Sequence, residues 1–170
     1  MRTTMNKVRG FSMIEVLIAL VLVCIGVLGM VALQGRAVTY TQDSVQRNTA
    51  AALANDLVEM MRANPAGLPA SSGFYKAADS AFPDAPSSGC GTTTNVASEQ
   101  LACWAQKAGK LLPGASGLLT SDFYICRSLN ANSCGNGSAV EIQLAWTVKP
   151  GECMDNSTAT KCYYRLRTEI

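Results

Sequence analysis

The feature that most constrains this chain is an uninterrupted apolar run from Val16 to Leu33, 18 residues with no charge and nothing polar beyond Cys24, Gly26 and Gly29. A run of that length meets the requirement for a helix crossing the hydrocarbon core of a bilayer. Arg2, Lys7 and Arg9 precede it, while Arg36 is the only basic residue in the ten positions after Leu33. The positive-inside rule therefore puts the start of the chain in the cytoplasm and everything after the run outside the inner membrane. This N-terminus is not an ordinary secretory signal. The run exceeds the ~7–15 residues of an h-region, and no small-x-small cleavage site follows it. Instead Gly10 separates the basic leader from the apolar segment. A cut there leaves the helix on the mature protein.

Glu15 sits five residues beyond that glycine. An ionisable group in a membrane helix costs ~2.5–3.5 kcal/mol on insertion scales and usually has a partner. Hydration at the headgroup level is the plain alternative, because Glu15 is near the helix end. Cleavage after Gly10, however, creates a cationic amine on Phe11 close to this carboxylate, and opposite charges on neighbouring subunits offset each other's desolvation. The order Gly10-Phe11-Ser12-Met13-Ile14-Glu15-Val16-Leu17 resembles the type IV prepilin motif, the class III signal peptide. The resemblance implies that a prepilin peptidase cuts between Gly10 and Phe11 and N-methylates Phe11. It also implies that Glu15 pairs with the N-terminus of an adjacent subunit during assembly.

Seven cysteines divide by place. Cys24 lies in the apolar run and reads as a free, lipid-buried thiol, while Cys90, Cys103, Cys126, Cys134, Cys153 and Cys162 all lie in the C-terminal half. An even set beyond a membrane segment reads as a disulfide framework in an oxidising compartment. A zinc site is disfavoured, since there is no CxxC pair and no histidine. Six cysteines admit 15 pairings. Sequential pairing, Cys90–Cys103, Cys126–Cys134 and Cys153–Cys162, is the expectation adopted, the last two closing short loops at strand edges.

The net charge of +2 belongs largely to the leader. Without the three basic residues of 1–10, 14 becomes 11 against 12 acidic residues, a net of −1. The basic balance is therefore no sign of nucleic-acid binding by the remainder.

No proline occurs between Phe11 and Asn64, so a helix of ~78 Å over residues 12–63 is expected from a 1.5 Å rise. Val38, Val45, Leu53, Leu57, Met60 and Met61 suggest one apolar stripe on its second half, and Asn64-Pro65 ends it. Gly26, Gly29 and Gly35 are either weak points for local melting or small surfaces for close helix packing. Residues 65–95, rich in Pro, Ala, Ser, Gly and Thr, read as a long loop pinned by Cys90. Residues 96–112 read as a short helix burying Leu101, Trp104, Ala105, Ala108 and Leu112. Alternation marks strands at 140–148 and 162–170, with Phe123–Cys126 a shorter third. Val140, Ile142, Leu144, Trp146 and Val148 should face the core, with Glu141, Gln143 and Thr147 on a polar outer face. The fold expected is α+β: a long N-terminal helix spine bearing a C-terminal antiparallel sheet head.

Catalytic signatures are missing. The chain has no histidine, no GxSxG, no phosphate-binding loop and no paired-carboxylate or calcium-loop pattern. No enzyme activity, metal or cofactor is expected. Tyr163, Arg165 and Arg167, with Lys161 beside them and Lys149 and Arg127 near, are the candidate contacts for a nucleic acid. The weightier reading is a solvated face whose arginines pair with Glu141 on the neighbouring strand.

Met13 to Gln34, with Ile25-Gly26-Val27-Leu28-Gly29 in its middle, resembles the PilV-type minor pilins of type IV pili. The departure from major pilins is the absence of a helix-breaking proline in the apolar half. The resemblance implies a leader at 1–10, a transmembrane and filament-core helix at 11–34, its periplasmic half at 35–64 and a disulfide-bonded head at 65–170. It implies a low-abundance subunit that helps prime assembly of pili serving twitching motility, adhesion and DNA uptake. The implied partners are other minor pilins and the major pilin, the prepilin peptidase, the inner-membrane assembly platform, and membrane lipid before assembly. A pseudopilin of type II secretion is the alternative; a tip receptor for nucleic acid or a surface is a third. Because tip-most pseudopilins tend to lack the glutamate, Glu15 implies a position below the tip.

Overall fold

A computed structural model describes residues 11–68, 73–91, 94–155 and 158–170. The leader and Gly10 lie outside the described residues. Helix α1 runs over Met13–Ala63. It starts where the Ser12 carbonyl accepts the N–H groups of Glu15 and Val16, and Glu15 in the first turn suits the positive end of the helix dipole. It stops where Asn64 N–H closes onto Met60 and Met61 ahead of Pro65, whose ring cannot continue the ladder. The chain divides into two compact units, Met1–Thr39 and Tyr40–Ile170.

In the first unit the described chain is helix alone. Every large apolar side chain there is uncovered, from Val16 at 48% to Met13 at 86% exposure. The apolar residues surround the helix rather than forming a stripe, so no single packing partner within the chain would bury them.

The second unit has an ordinary core. The α1 face that enters it carries Asp43, Ala50, Leu53, Ala54, Leu57, Val58 and Met61, an i, i+3, i+4 series. This corrects the stripe read from the sequence: Val38 and Val45 are 57% and 52% exposed. Stepping back from Leu53 and Leu57 at 100° per residue brings Arg47 and Asp43 onto the buried face and turns Val38 and Val45 away from it. Helix α2, Ala97–Leu111, lies on α1, with Trp104 Nε1 donating to the Leu53 carbonyl at 2.9 Å and Lys107 paired to Asp56 at 2.7 Å. Leu101, Trp104, Ala105, Ala108 and Leu112 are buried.

Four antiparallel strands follow: β1 Tyr124–Asn130, β2 Ser133–Cys134, β3 Ala139–Thr147 and β4 Lys161–Thr168, in sheet order β2-β1-β3-β4. Ile125, Val140, Ile142, Leu144 and Trp146 share one core with Leu53, Leu57, Met61, Trp104 and Phe123. Phe74 is fully buried, and Phe82 packs its ring 6.2 Å from Trp104 and 6.3 Å from Phe123. The 73–91 segment is thereby tied to the core, and its Lys76 bridges to Ile125 of β1. β1 is longer than the 123–126 strand read from the sequence, and β2 carried no alternation by which to find it. Gly137 permits the close return of the chain after β2, since a Cβ there would stand 1.9 Å from the Ser128 carbonyl oxygen.

The outer face of β3 is the clearest correction. Glu141 and Gln143 were expected to meet water; they are 1% and 7% exposed. Side chains of the flanking strands fold over them, Tyr124 from β1 and Arg165 from β4. A central strand has neighbours on both sides, and long polar residues there cover it.

Candidate functional site

Phe11, Glu15, Ala19 and Val23 recur every four residues along one face of α1, lining a shallow groove with Val16 and Leu20. Glu15 is exposed and forms no ion pair among the described residues. No other carboxylate occurs before Asp43. The helix is long and apolar enough to cross a membrane, the sole such helix among the described residues. Glu15 is therefore a lone carboxylate on the uncovered apolar half of α1. Cys24 is exposed and carries a free thiol.

The head is braced at three places by disulfides, Cys90–Cys103, Cys126–Cys134 and Cys153–Cys162. The first ties the loop before α2 to α2 itself, the second closes the β1–β2 hairpin, and the third joins the loop after β3 to β4. Asp43 lies near the last of these, its carboxylate within 4.8 Å of both sulfurs. That grouping is not a metal centre as it stands, because the sulfurs are bonded to one another. Asp43 accepts from Arg47 Nε at 2.8 Å and from the Met154 N–H at 3.4 Å. Arg47 also reaches Asp155 at 2.6 Å and lies 5.9 Å from the centre of the Trp146 ring. This cluster latches the 153–162 loop to the helix.

Two further buried charges have structural partners. Lys76 Nζ donates to the carbonyls of Thr120 and Phe123 at 2.7 and 2.6 Å, and burial pushes its pKa down. The Glu141 carboxylate accepts from Tyr124 Oη at 2.7 Å, Ser128 Oγ at 3.2 Å and the Asn132 N–H at 2.9 Å. Asn132 adopts φ of 63° to offer that N–H, a conformation asparagine tolerates better than most residues. Burial, then the neighbouring Glu141 charge, pushes the Tyr124 hydroxyl up to about 12. The Glu141 carboxylate is thus enclosed by donors on both oxygens, whereas Asp43 Oδ1 is buried without a hydrogen-bond partner among the described residues.

Tyr163, Arg165 and Arg167 stand in a row on the outer face of β4. Arg165 donates to Gln143 Oε1, and its guanidinium lies 5.6 Å from the Tyr163 ring centre. Arg167 bonds the Leu129 carbonyl at 3.0 Å and the Ser128 carbonyl at 3.4 Å, and Tyr163 Oη donates to Asp122 at 2.9 Å. The expected ion pairs from these arginines to Glu141 are not formed, because Tyr124, Ser128 and Asn132 already occupy that carboxylate. Lys161 pairs with Asp122 at 2.9 Å instead. Sequence reasoning missed Asp43, Lys76 and Glu141 as buried groups. Only for Asp43 was there a signal, its place in the 43, 47, 50, 54 series.

Residues 5–31 match the model of the prokaryotic N-terminal methylation motif, and residues 32–106 match that of the Tt1218-like family, described as type IV pilin Tt1218. No curated protein and no solved structure matches the chain. The two family matches abut, one ending inside the apolar run and the other covering the rest of α1 and most of α2. A methylation motif on a pilin implies processing by a prepilin peptidase and assembly with other pilins. Taken with the long helix and the four-stranded antiparallel head, these matches support a type IV pilin carrying a class III signal.

Proposed function

We propose that this chain is a minor pilin of a type IV pilus, of the PilV type, present at low copy number and helping to prime pilus assembly. The observation that carries the proposal is Glu15: a single carboxylate in the first turn of an uncovered apolar helix, with a glycine-phenylalanine step just before it. In this reading residues 1–10 are the leader, 11–34 the membrane and filament-core helix, 35–64 its periplasmic half and 65–170 the head. Cleavage between Gly10 and Phe11 and methylation of Phe11 leave a cationic terminus. Glu15 of one subunit then meets the terminus of its neighbour, and extraction from lipid into the filament is driven by covering the apolar helix while neutralising both charges. The chain waits in the inner membrane as a single-pass protein with a periplasmic head, where the three disulfides can form, and then passes to the surface pilus. Its partners are other minor pilins, the major pilin, the peptidase and the assembly platform.

The glycine-bearing Ile25–Gly29 segment favours a minor pilin over a secretion pseudopilin. Deleting the gene separates the two: surface pili should fall while exoprotein secretion continues. Intact piliation with lost secretion would overturn the assignment.

A further inference from the structure

The two edges of the head's sheet are treated very differently. At one edge β2 is two residues long, its register against β1 shifts between Ser128 and Asn130, and a disulfide crosses the hairpin. That is how proteins blunt an edge against unwanted pairing. At the other edge β4 has eight residues, no proline, and an unbroken register against β3 from Val140↔Thr168 to Thr147↔Lys161. Val148 N–H donates to the Thr160 carbonyl at 2.9 Å. The alternation of an antiparallel ladder then turns the backbone groups of even-numbered β4 residues toward β3. The N–H and C=O groups of Tyr163, Arg165 and Arg167 point out of the sheet. Among the described residues no segment pairs with them.

The side chains along this edge define what would fit. On the outer face Arg165 and Arg167 are exposed and neither has a carboxylate partner among the described residues. On the inner face Tyr164 and Leu166 are only half-buried, and Ile170 beyond them is 38% exposed. A charged edge alone is a common protection. Here the charges are confined to one face, and an unfinished apolar rim lies on the other.

We propose that β4 is the acceptor for an extended segment of another protein subunit, which adds a fifth strand. Its chemistry follows from the alternation: acidic residues at every second position to meet Arg165 and Arg167, apolar residues between them to cover Tyr164 and Leu166. Main-chain bonds supply the affinity and the alternate side chains the selectivity. The inference rests on the head alone and is independent of whether the filament is a pilus or a secretion piston.

The test uses the full chain in neutral detergent micelles and a short synthetic peptide alternating glutamate and valine, labelled for anisotropy. Saturable binding is expected, with the backbone amides of Tyr163, Arg165 and Arg167 gaining protection from hydrogen exchange. Converting both arginines, R165E with R167E, should weaken binding roughly tenfold or more, given the worth of opposed cross-strand charges. A peptide with all its backbone nitrogens methylated, so that none of those facing β4 can donate, should not bind, and this arm does not depend on any variant folding. Absence of binding, equal binding of the methylated peptide or of a lysine-valine peptide, or protection of other amides instead would overturn the proposal. So would binding of a single-stranded oligonucleotide at these residues in place of the peptide.

Discussion

The first half of α1 and the head solve opposite problems. Between Phe11 and Leu33 every large apolar side chain is uncovered, whereas Phe74, Leu101, Trp146 and Ile142 of the head, with Leu57 and Met61 of the α1 segment packed in its core, are fully enclosed. The head therefore carries its own folding free energy. The first half of the helix carries a surface whose burial, in the proposed reading, is supplied by lipid and then by other subunits. One region is finished within the chain, and the other is left uncovered by it.

That contrast gives unequal penalties for the same chemical change. Leu57→Ala removes a fully buried side chain and should cost the head about 2–5 kcal/mol in denaturant unfolding. Leu22→Ala, on a residue 63% exposed, should leave the head's midpoint in place. Equal effects at the two positions would dissolve the distinction.

A smaller effect concerns the buried carboxylate in the head. Glu141→Gln keeps the shape but replaces one of the two acceptor oxygens with a donor amide, facing either Tyr124 or the Ser128 and Asn132 pair. A loss of about 1–3 kcal/mol is expected from partners left mismatched in a buried site. An unchanged unfolding midpoint would show that this network contributes nothing to the sheet.

The smallest effect is a pH dependence. The Tyr124 hydroxyl is pushed up to about 12 by burial and by Glu141, above its ordinary value near 10. A raised folded-state pKa adds stability that is complete below about pH 10 and is lost as the pH climbs through about 12. The stability difference between the native chain and Tyr124→Phe should therefore shrink across that window. A constant difference would separate the hydroxyl from the Glu141 charge.

Much of this architecture is legible in residue patterns. The apolar run, the missing prolines, the Asn64-Pro65 stop and the burial series of α2 mark the helices. The alternation of 140–148 and 162–170 marks the two longest strands. What alternation does not reveal is covering by polar neighbours. Glu141 and Gln143 read as solvent-facing because their side chains are polar, yet Tyr124 and Arg165 enclose them from the strands on either side. Val38 and Val45 mislead for a related reason: composition suggests an apolar stripe, but helical phase puts Asp43 and Arg47 on the buried face instead. Lys76 gives no warning at all, being one lysine in an irregular segment whose two carbonyl partners lie more than forty residues away. At the N-terminus the order of residues is itself the signal, and residues 5–31 match the methylation motif by that order.

The central claim is that the apolar helix is kept on the mature protein and handed to a filament. Mass spectrometry of the chain recovered from sheared surface filaments tests it most directly. A mature protein beginning at Phe11, bearing one methyl group on its α-nitrogen and retaining residues 12–33, is the result expected. A chain that still begins at Met1, or one from which the apolar run has been removed, would contradict the account.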